Sequence, residues 1–302
     1  TIKRSMITIQ SLRKQKARLG LLFLAPIMTG ILVFTAGPIL FSLLLSFFYW
    51  DIFKPMKFAG LANYQWLFED EVAGAAFKNT ILFAVATVVA QNILGFTLAL
   101  SVRNILNKYF RFFFRSVFFL PLLMSGATIS VFMSYMFNSD FGVVNYYLSL
   151  IGISQIAWLT STQVALITTV IIYVWQHIGF AFILFLGAFS TMPQEVLDAA
   201  TVDGAKGLKK IWHIYLPLVS PTLFFASVIG FIHAVQVFDQ PYILTRGGPG
   251  DSNRTAVMLI YDVAFQDLEF GYGSAIAFAL FLIIFAATLI QFWAQKKWVF
   301  FE

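Results

Sequence analysis

The sequence predicts an all-α protein, a polytopic helical bundle embedded in a membrane, and its composition carries that prediction. The 302 residues include 20 Lys and Arg and 14 Asp and Glu, so charged residues make up 11%, against about 25% in an average soluble domain. Hydrophobic residues make up 60%, and the mean hydropathy is +0.82. A soluble core cannot hide so much apolar surface, so lipid must cover much of it.

Six stretches of the chain lack Asp, Glu, Lys and Arg over at least the roughly 20 residues that a helix needs to cross a bilayer. These stretches are residues 19–50, 79–102, 116–139, 141–194, 211–238 and 271–295. The fourth could hold two spans by length, but polar residues interrupt its first half, so only residues 164–189 are expected to cross. The predicted count is six transmembrane helices.

The distribution of Lys and Arg predicts which side of the membrane each loop faces, because short cytoplasmic loops keep an excess of them. The ends of the chain and the second and fourth loops hold 15 of the 20 basic residues. Both termini are therefore predicted to be cytoplasmic. The predicted organisation is a basic cytoplasmic segment at 1–18, a transmembrane domain at 19–294 and a cytoplasmic tail at 295–302. The first apolar stretch is too long for a cleaved signal peptide, which favours a retained helix.

Several function classes are disfavoured by what the sequence lacks. The net charge of +6 lies mostly beside predicted spans, where it sets orientation, so no nucleic-acid partner is expected. There is no Cys, and the sequence shows no paired carboxylates, metal-spaced histidines or Gly-x-Ser-x-Gly elbow. No catalytic residue, no metal site and no enzyme activity of this chain are predicted.

The cytoplasmic loop between the fourth and fifth spans, residues 190–217, has a distinct architecture. Pro193 and the acids behind it are typical of a helix start, and Gly204 ends that helix, because glycine reaches the left-handed conformation without steric cost. A second, amphipathic helix is predicted from Lys206 to Pro217. Two interpretations remain open: a passive helix at the interface, or a bent lever that binds a partner.

In the lever interpretation, the first helix presents a docking surface. Glu195 and Asp198 offer acceptors for a partner's arginine. Ala199 and Ala200 are expected to be exposed, so that another protein can approach closely.

The segment DAATVDGAKGLKKIWHIYLP resembles the EAA loop of the membrane subunits of ATP-binding-cassette (ABC) importers. That pattern reads Glu-Ala-Ala, three residues, Gly, nine residues, Ile, one residue, Leu, Pro. The matching positions are Asp198, Ala199, Ala200, Gly204, Ile214, Leu216 and Pro217, and both spacings are kept. The departure is Asp for Glu at the first place.

Three further segments resemble the carbohydrate-uptake branch of that family, the MalF-like subunits. They are Phe119-Leu120-Pro121, Val174-Trp175-Gln176 and residues 244–250, which contain Gly247, Gly248 and Pro249 in a predicted external loop. Without the resemblance, that glycine-rich segment would equally well be a bare surface turn.

The resemblance implies a permease subunit of a type I ABC importer in a bacterial cytoplasmic (inner) membrane. Such a subunit forms half of a translocation pathway with a second, homologous permease, and an external binding protein delivers the solute, here a carbohydrate. Two partner ATPase subunits hold ATP and Mg²⁺ and contact the EAA loop, to which Glu195 is added as a coupling residue. The chain itself contains no Gly-x-x-x-x-Gly-Lys-Ser/Thr, so no cofactor is expected on it.

Polar residues inside predicted spans are candidates for the solute pathway, because they are costly in lipid unless they face a cavity or another helix. The preferred cluster is Tyr173, Trp175, Gln176 and His177, followed by His233, Gln236 and Asn92. Each could instead bond a neighbouring helix, and the two histidines could form a proton relay.

The rival from another class is an ion-gradient-driven secondary transporter or channel. It predicts intramembrane carboxylates or inverted repeats. The predicted spans contain no carboxylate away from their edges, and the two halves show no convincing repeat. Nothing in the sequence identifies which carbohydrate is carried, or whether it is neutral or anionic.

Overall fold

The computed structural model describes residue 16, residues 19–103, residue 105 and residues 107–300. Apart from Lys16, the predicted basic segment 1–18 lies outside the described residues, as do the last two residues of the predicted tail. The described chain is almost entirely helical.

The elements follow one another with short connections. In chain order they are α1 (Leu19–Leu45), β1 (Phe48–Tyr49), β2 (Lys57–Phe58), α2 (Ala62–Glu69), α3 (Glu71–Arg103), α4 (Lys108–Leu123), α5 (Gly126–Met136), α6 (Val143–Leu150), α7 (Ala165–Ser190), α8 (Gln194–Val202), α9 (Gly207–Leu218), α10 (Ser220–Val235), α11 (Asp239–Thr245), α12 (Ala256–Gln266) and α13 (Phe270–Gln295).

Four of these helices are long and apolar enough to cross a membrane alone, namely α1, α3, α7 and α13. Two more spans arise if each of two bent pairs counts as one: α4 with α5, bent by 102°, and α9 with α10, bent by 70°. The predicted number of six is obtained on that count. The third span is broken, however, and not the continuous helix that its apolar composition predicts. The bend between α9 and α10 lies where the amphipathic helix of the loop was predicted to end and the fifth span to begin.

Local backbone chemistry explains the breaks. Pro121 lies in a 3-10 turn at the end of α4, and the next residues, Met124 and Ser125, are extended. Proline removes a backbone donor and cannot continue an α-helix ladder. Before α10, Val219 leaves the helical conformation with φ −93° and ψ 3°, and Pro221 follows in the first turn of the new helix.

The predicted ends of the spans differ in accuracy. Predictions for the fourth and sixth spans agree with α7 and α13 to within one residue. The first span was expected to reach Trp50, but α1 ends at Leu45 and the chain turns into the β1–β2 hairpin, which pairs Phe48 with Phe58. The buried hydroxyl of Ser46 donates to the carbonyl of Leu43 at this end.

Helices α3 and α7 pack against each other at the centre of the bundle, and small residues let them approach closely. A Cβ atom at Gly95 would lie 2.7 Å from the Cβ of Ala181 and 3.0 Å from the backbone nitrogen of Phe182. Phe182 and Phe185 are completely buried beside this contact. The central pair therefore forms a rigid frame that carries the polar residues of α7.

We expect Gly95→Val to destabilise the protein by about 1–3 kcal/mol, because the added carbons overpack the α3–α7 contact. Gly74→Ala on the same helix is the control, since nothing lies within 4 Å of a Cβ there. Thermal unfolding of the purified chain in detergent measures both. Equal melting temperatures for Gly95→Val and the wild type would contradict the close packing of these helices.

Candidate functional site

A polar cleft of about 370 Å³ lies among α7, the end of α10 with the residues that follow it, and the break between α4 and α5. Five of the residues predicted from sequence line it: Tyr173, Gln176, His177, His233 and Gln236. Its volume falls within the range of small-molecule sites, about 300–1,000 Å³.

Helical spacing explains why these side chains meet. Tyr173, Gln176 and His177 stand at i, i+3 and i+4 on α7, so they share one face. His233 and Gln236 are three residues apart at the end of α10, and both are exposed to the cleft. Two helix faces therefore supply all five groups.

The cleft also collects non-helical backbone from the break between α4 and α5 and from the residues after α10. Gln176, only 2% exposed, donates from Nε2 to the carbonyl of Met124 at 3.1 Å, inside the break between α4 and α5. Its Oε1 accepts from Gln240 Nε2 at 2.8 Å, in the first turn of α11. Thr255 donates to the carbonyl of Val237 at 3.1 Å. Side chains beside the cavity thus satisfy backbone groups that the helices leave unpaired.

An aromatic wall borders the same space. The rings of Tyr173 and His177 stack with centroids 4.0 Å apart, and Phe83 meets Tyr173 edge-on at 5.1 Å. Together with the amide of Gln236, the imidazole of His233 and the carboxylate of Asp239, this wall offers donors, acceptors and a ring face. A hydroxyl-rich ligand could be held by such a set.

Seven further residues line the cleft: Leu122, Met124, Gly126, Val237, Phe238, Asp239 and Gln240. Asp239 is the carboxylate at the edge of the fifth predicted span, and the other six were not predicted. Gly126 packs closely on Asp239, since a Cβ at Gly126 would lie 2.6 Å from Asp239 Oδ2 and 3.3 Å from Asp239 Cβ. Gln240 follows the end of the apolar stretch and therefore escapes a search confined to the spans.

Two predicted pathway residues lie elsewhere. Trp175, 44% exposed, lines a separate space, here called the apolar groove, on the other side of α7 from the cleft. Asn92 Nδ2 donates to Ser227 Oγ at 3.1 Å and so joins α3 to α10. Asn92 thus makes the alternative contact expected of such residues, a bond between neighbouring helices.

The external segment with Gly247, Gly248 and Pro249 is anchored to the bundle. Gly247 is buried with φ +82°, where a side chain would be strained. The fully buried Asn253 donates to Thr169 of α7 at 2.9 Å and to Thr245 at 2.8 Å. The segment is therefore an ordered loop that is hydrogen-bonded to the bundle, and not an isolated surface turn.

Arg254 holds the same loop together. Its guanidinium forms ion pairs with Asp251, at 2.6 Å, and with Asp262. Burial lowers the pKa of Arg254, but hydrogen bonds and charges from the two carboxylates outweigh that effect and raise this pKa above its ordinary value.

The cytoplasmic segment 190–217 forms the two helices and the glycine corner that the sequence predicts. Helix α8 ends in a double hydrogen bond, from Ala205 N to Ala200 O at 2.9 Å and from Gly204 N to Thr201 O at 3.1 Å, which is the Schellman arrangement. Gly204 has φ +75°. Lys210 of α9 donates to Thr201 Oγ1 of α8 at 3.1 Å and so joins the two helices.

The outward surface of α8 carries Glu195, Asp198 and Ala199, all exposed. Asp198 accepts a hydrogen bond from Gln194 at 2.9 Å. The expectation that Ala200 is exposed is wrong, because Ala200 is 5% exposed and faces inward with Leu197. Only one of the two alanines therefore lies on the surface available to a partner.

The C-terminal end of this segment, around Tyr215 of α9, packs against the bundle. Tyr215 meets Phe189 with ring centroids 5.8 Å apart, and the Arg103 guanidinium lies 5.3 Å from the Tyr215 ring. These contacts join the ends of α3 and α7 to α9. The matched motif residues here, Ile214, Leu216 and Pro217, are half-buried. Sequence reasoning missed Arg103 and Tyr215, although a cation at the end of one span and aromatics at the ends of others were visible signals.

Residues 91–299 match the protein family described as "Binding-protein-dependent transport system inner membrane component". The chain belongs to this family. Its members are transport components, so the predicted permease subunit without enzyme activity of its own is confirmed.

Related permeases align with almost the whole chain. This chain is 36% identical over 273 residues to the probable ABC transporter permease protein YurN of Bacillus subtilis (strain 168), and the alignment covers 89% of this chain and 93% of that protein. It is 31% identical over 283 residues to the lactose transport system permease protein LacF of Rhizobium radiobacter, covering 92% and 94%. The predicted likeness to carbohydrate-uptake permeases is confirmed.

A solved structure shows the same fold. A chain of the bacterial alginate ABC transporter, in complex with an alginate pentasaccharide-bound periplasmic protein, aligns with a TM-score of 0.81 at 22% identity. The alignment covers 94% of this permease and 96% of that chain. The predicted all-α membrane bundle is confirmed.

We expect Gln176→Leu to destabilise the permease by about 1–3 kcal/mol, because it leaves the buried Gln240 amide and the Met124 carbonyl without their hydrogen-bond partner. Gln236→Leu is the matched control, since this exposed glutamine makes no side-chain hydrogen bond within the described residues. Thermal unfolding in detergent compares the two. A larger loss for Gln236→Leu would contradict the bridging role of Gln176.

Proposed function

We propose that this permease forms half of the translocation pathway for a carbohydrate in an ATP-driven importer of the bacterial cytoplasmic membrane. A second, homologous permease supplies the other half, and two ATPase subunits bind ATP and Mg²⁺. A solute-binding protein delivers the carbohydrate on the extracytoplasmic side. The observation that carries the proposal is the polar cleft between α7, the end of α10 and the break in the third span.

The chemistry of the cleft supports a saccharide as solute. Amide and imidazole groups can donate hydrogen bonds to sugar hydroxyls or accept them, and a carboxylate can accept them. The stacked rings of Tyr173 and His177 provide a flat wall for a sugar ring. LacF is named for lactose and the solved complex contains alginate, and both names support a carbohydrate here.

The position of segment 190–217 supports coupling to a separate ATPase. It connects α7 directly to α10, the two helices that supply all five predicted cleft residues. Its exposed acids on α8 can dock to a basic groove, with Asp198 in the place of the family's Glu. Tyr215 of this segment packs on Phe189 and Arg103. Movement of α8 is therefore transmitted to α7 and α10, which move as rigid bodies.

Co-purification tests the assembly. The tagged permease should bring down a homologous permease and an ATPase, and the reconstituted complex with its binding protein should hydrolyse ATP faster when a saccharide is present. A permease that transports saccharide alone, driven by an ion gradient and indifferent to ATP, would refute the proposal.

We expect Gly204→Val to uncouple ATP hydrolysis from uptake. A β-branched residue at φ +75° costs about 1–2 kcal/mol, and relief of that strain changes the angle between α8 and α9. Gly204→Asn is the control, as Asn tolerates this conformation. The measurement is the number of solute molecules taken up per ATP hydrolysed in proteoliposomes. Normal coupling in Gly204→Val would show that the corner transmits nothing.

We expect His233→Ala and Gln236→Ala each to raise the KM for uptake by about tenfold, the loss that roughly 1.4 kcal/mol of hydrogen bonding to the solute predicts. Thr97→Ala, an exposed polar position outside the cleft, should leave the KM unchanged. Initial uptake rates across saccharide concentrations decide this. An unchanged KM in both cleft variants would exclude these side chains from the pathway.

A further inference from the structure

The apolar groove has no role in the function proposed above. It encloses about 450 Å³ between α3, α4 and α7, and its lining is almost wholly apolar: Ala90, Leu94, Val117, Phe118, Pro121, Val170, Ile171, Val174, Trp175 and Ile178. It lies on α7 roughly opposite the cleft, so it faces away from the proposed solute pathway.

The groove lies within reach of the cytoplasmic leaflet. Leu94 is nine residues before the end of α3, and Ile178 is twelve before the end of α7, which places them about 14 and 18 Å from the cytoplasmic ends of their helices. Half of the hydrocarbon core is about 15 Å thick. A chain anchored at the inner surface can therefore extend into this space.

The length of the groove suits a lipid chain. The groove extends about 12 Å along α7 from Val170 to Ile178, and its space of about 450 Å³ is lined by apolar side chains along that length.

Helix α4 carries a stripe of basic residues on the N-terminal side of the residues that line the groove. Lys108, Arg111 and Arg115 are spaced at i, i+3 and i+7, so they share one side of the helix. Arg111 is committed to the carbonyl of Ile105, which it contacts through Nη2 at 2.6 Å and Nε at 3.1 Å. Within the described residues, Lys108 and Arg115 form no salt bridge.

The remaining surface of the same helix is aromatic. Tyr109, Phe110, Phe112 and Phe113 are all strongly exposed. A helix with one basic and one aromatic side is typical of the boundary between anionic headgroups and acyl chains. Its next residues, Val117 and Phe118, form the wall of the groove.

We propose that this face binds one anionic phospholipid of the cytoplasmic leaflet. Lys108 and Arg115 contact the phosphate-bearing headgroup, and one acyl chain occupies the apolar groove between α3 and α7. The bound lipid fills the side of α7 that the described chain leaves open, behind the residues of the cleft.

Native mass spectrometry of the full-length permease tests this with dioleoyl phosphatidylglycerol and dioleoyl phosphatidylcholine. The wild type should retain one phosphatidylglycerol, with an affinity about 25-fold above that for phosphatidylcholine, or roughly fivefold for each of two cations. The Lys108→Gln, Arg115→Gln double variant should lose this preference. Lys296→Gln with Lys297→Gln, which removes two charges from the tail, should keep it.

Ala90→Phe, which fills the groove, tests the acyl chain separately. It should weaken retention of both lipids at least fivefold while its melting temperature without added lipid stays within a few degrees of the wild type. Equal affinities of the wild type for the two lipids would overturn the proposal. So would an Ala90→Phe variant that retains lipid normally but no longer associates with a homologous permease, because the groove would then be a protein interface.

Discussion

Inside the hydrocarbon core, a backbone donor or acceptor without a partner costs several kcal/mol, and this constraint decides where the chain can break its spanning helices. Side chains satisfy it at two non-helical segments beside the cleft. Gln176 bonds the carbonyl of Met124 in the break of the third span, and Thr255 bonds the carbonyl of Val237 just after the end of α10. Because both segments border the same cavity, the polar groups that they require gather in one cleft.

Chain connectivity links the cleft to the cytoplasmic segment. Helices α7 and α10 carry the cleft residues, and α8 and α9 lie between them along the chain. Tyr215 packs on Phe189 and Arg103 and so joins α9 to the ends of α7 and α3. We propose that a force applied to the exposed face of α8 reaches the cleft through these contacts and through the direct connection to α10.

Sequence alone predicted the straight parts of the fold and part of the cleft. Apolar runs located α7 and α13 because a buried or lipid-covered helix needs an unbroken run of such residues. They could not reveal the bend in the third span, because apolar composition does not record the direction of a helix axis, and Pro121 lies near the start of the apolar stretch 116–139, where a proline is also compatible with the beginning of a helix. The spacing of Tyr173, Gln176 and His177 correctly placed them on one face. By the same spacing Trp175 should lie elsewhere, and Gln240 was missed because it lies in α11, beyond the end of the apolar stretch 211–238.

Labelling of a single cysteine tests the central claim, that the cleft is the solute pathway and that ATP changes its exposure. This chain contains no Cys, so Gln236→Cys supplies its single thiol, and the complex with the unsubstituted permease measures the background from the partner subunits. A membrane-impermeant thiol reagent should react there, saccharide should slow the reaction, and ATP with Mg²⁺ should change its rate, while Trp175→Cys reacts slowly throughout. A rate at Gln236→Cys that neither saccharide nor ATP alters would contradict the account.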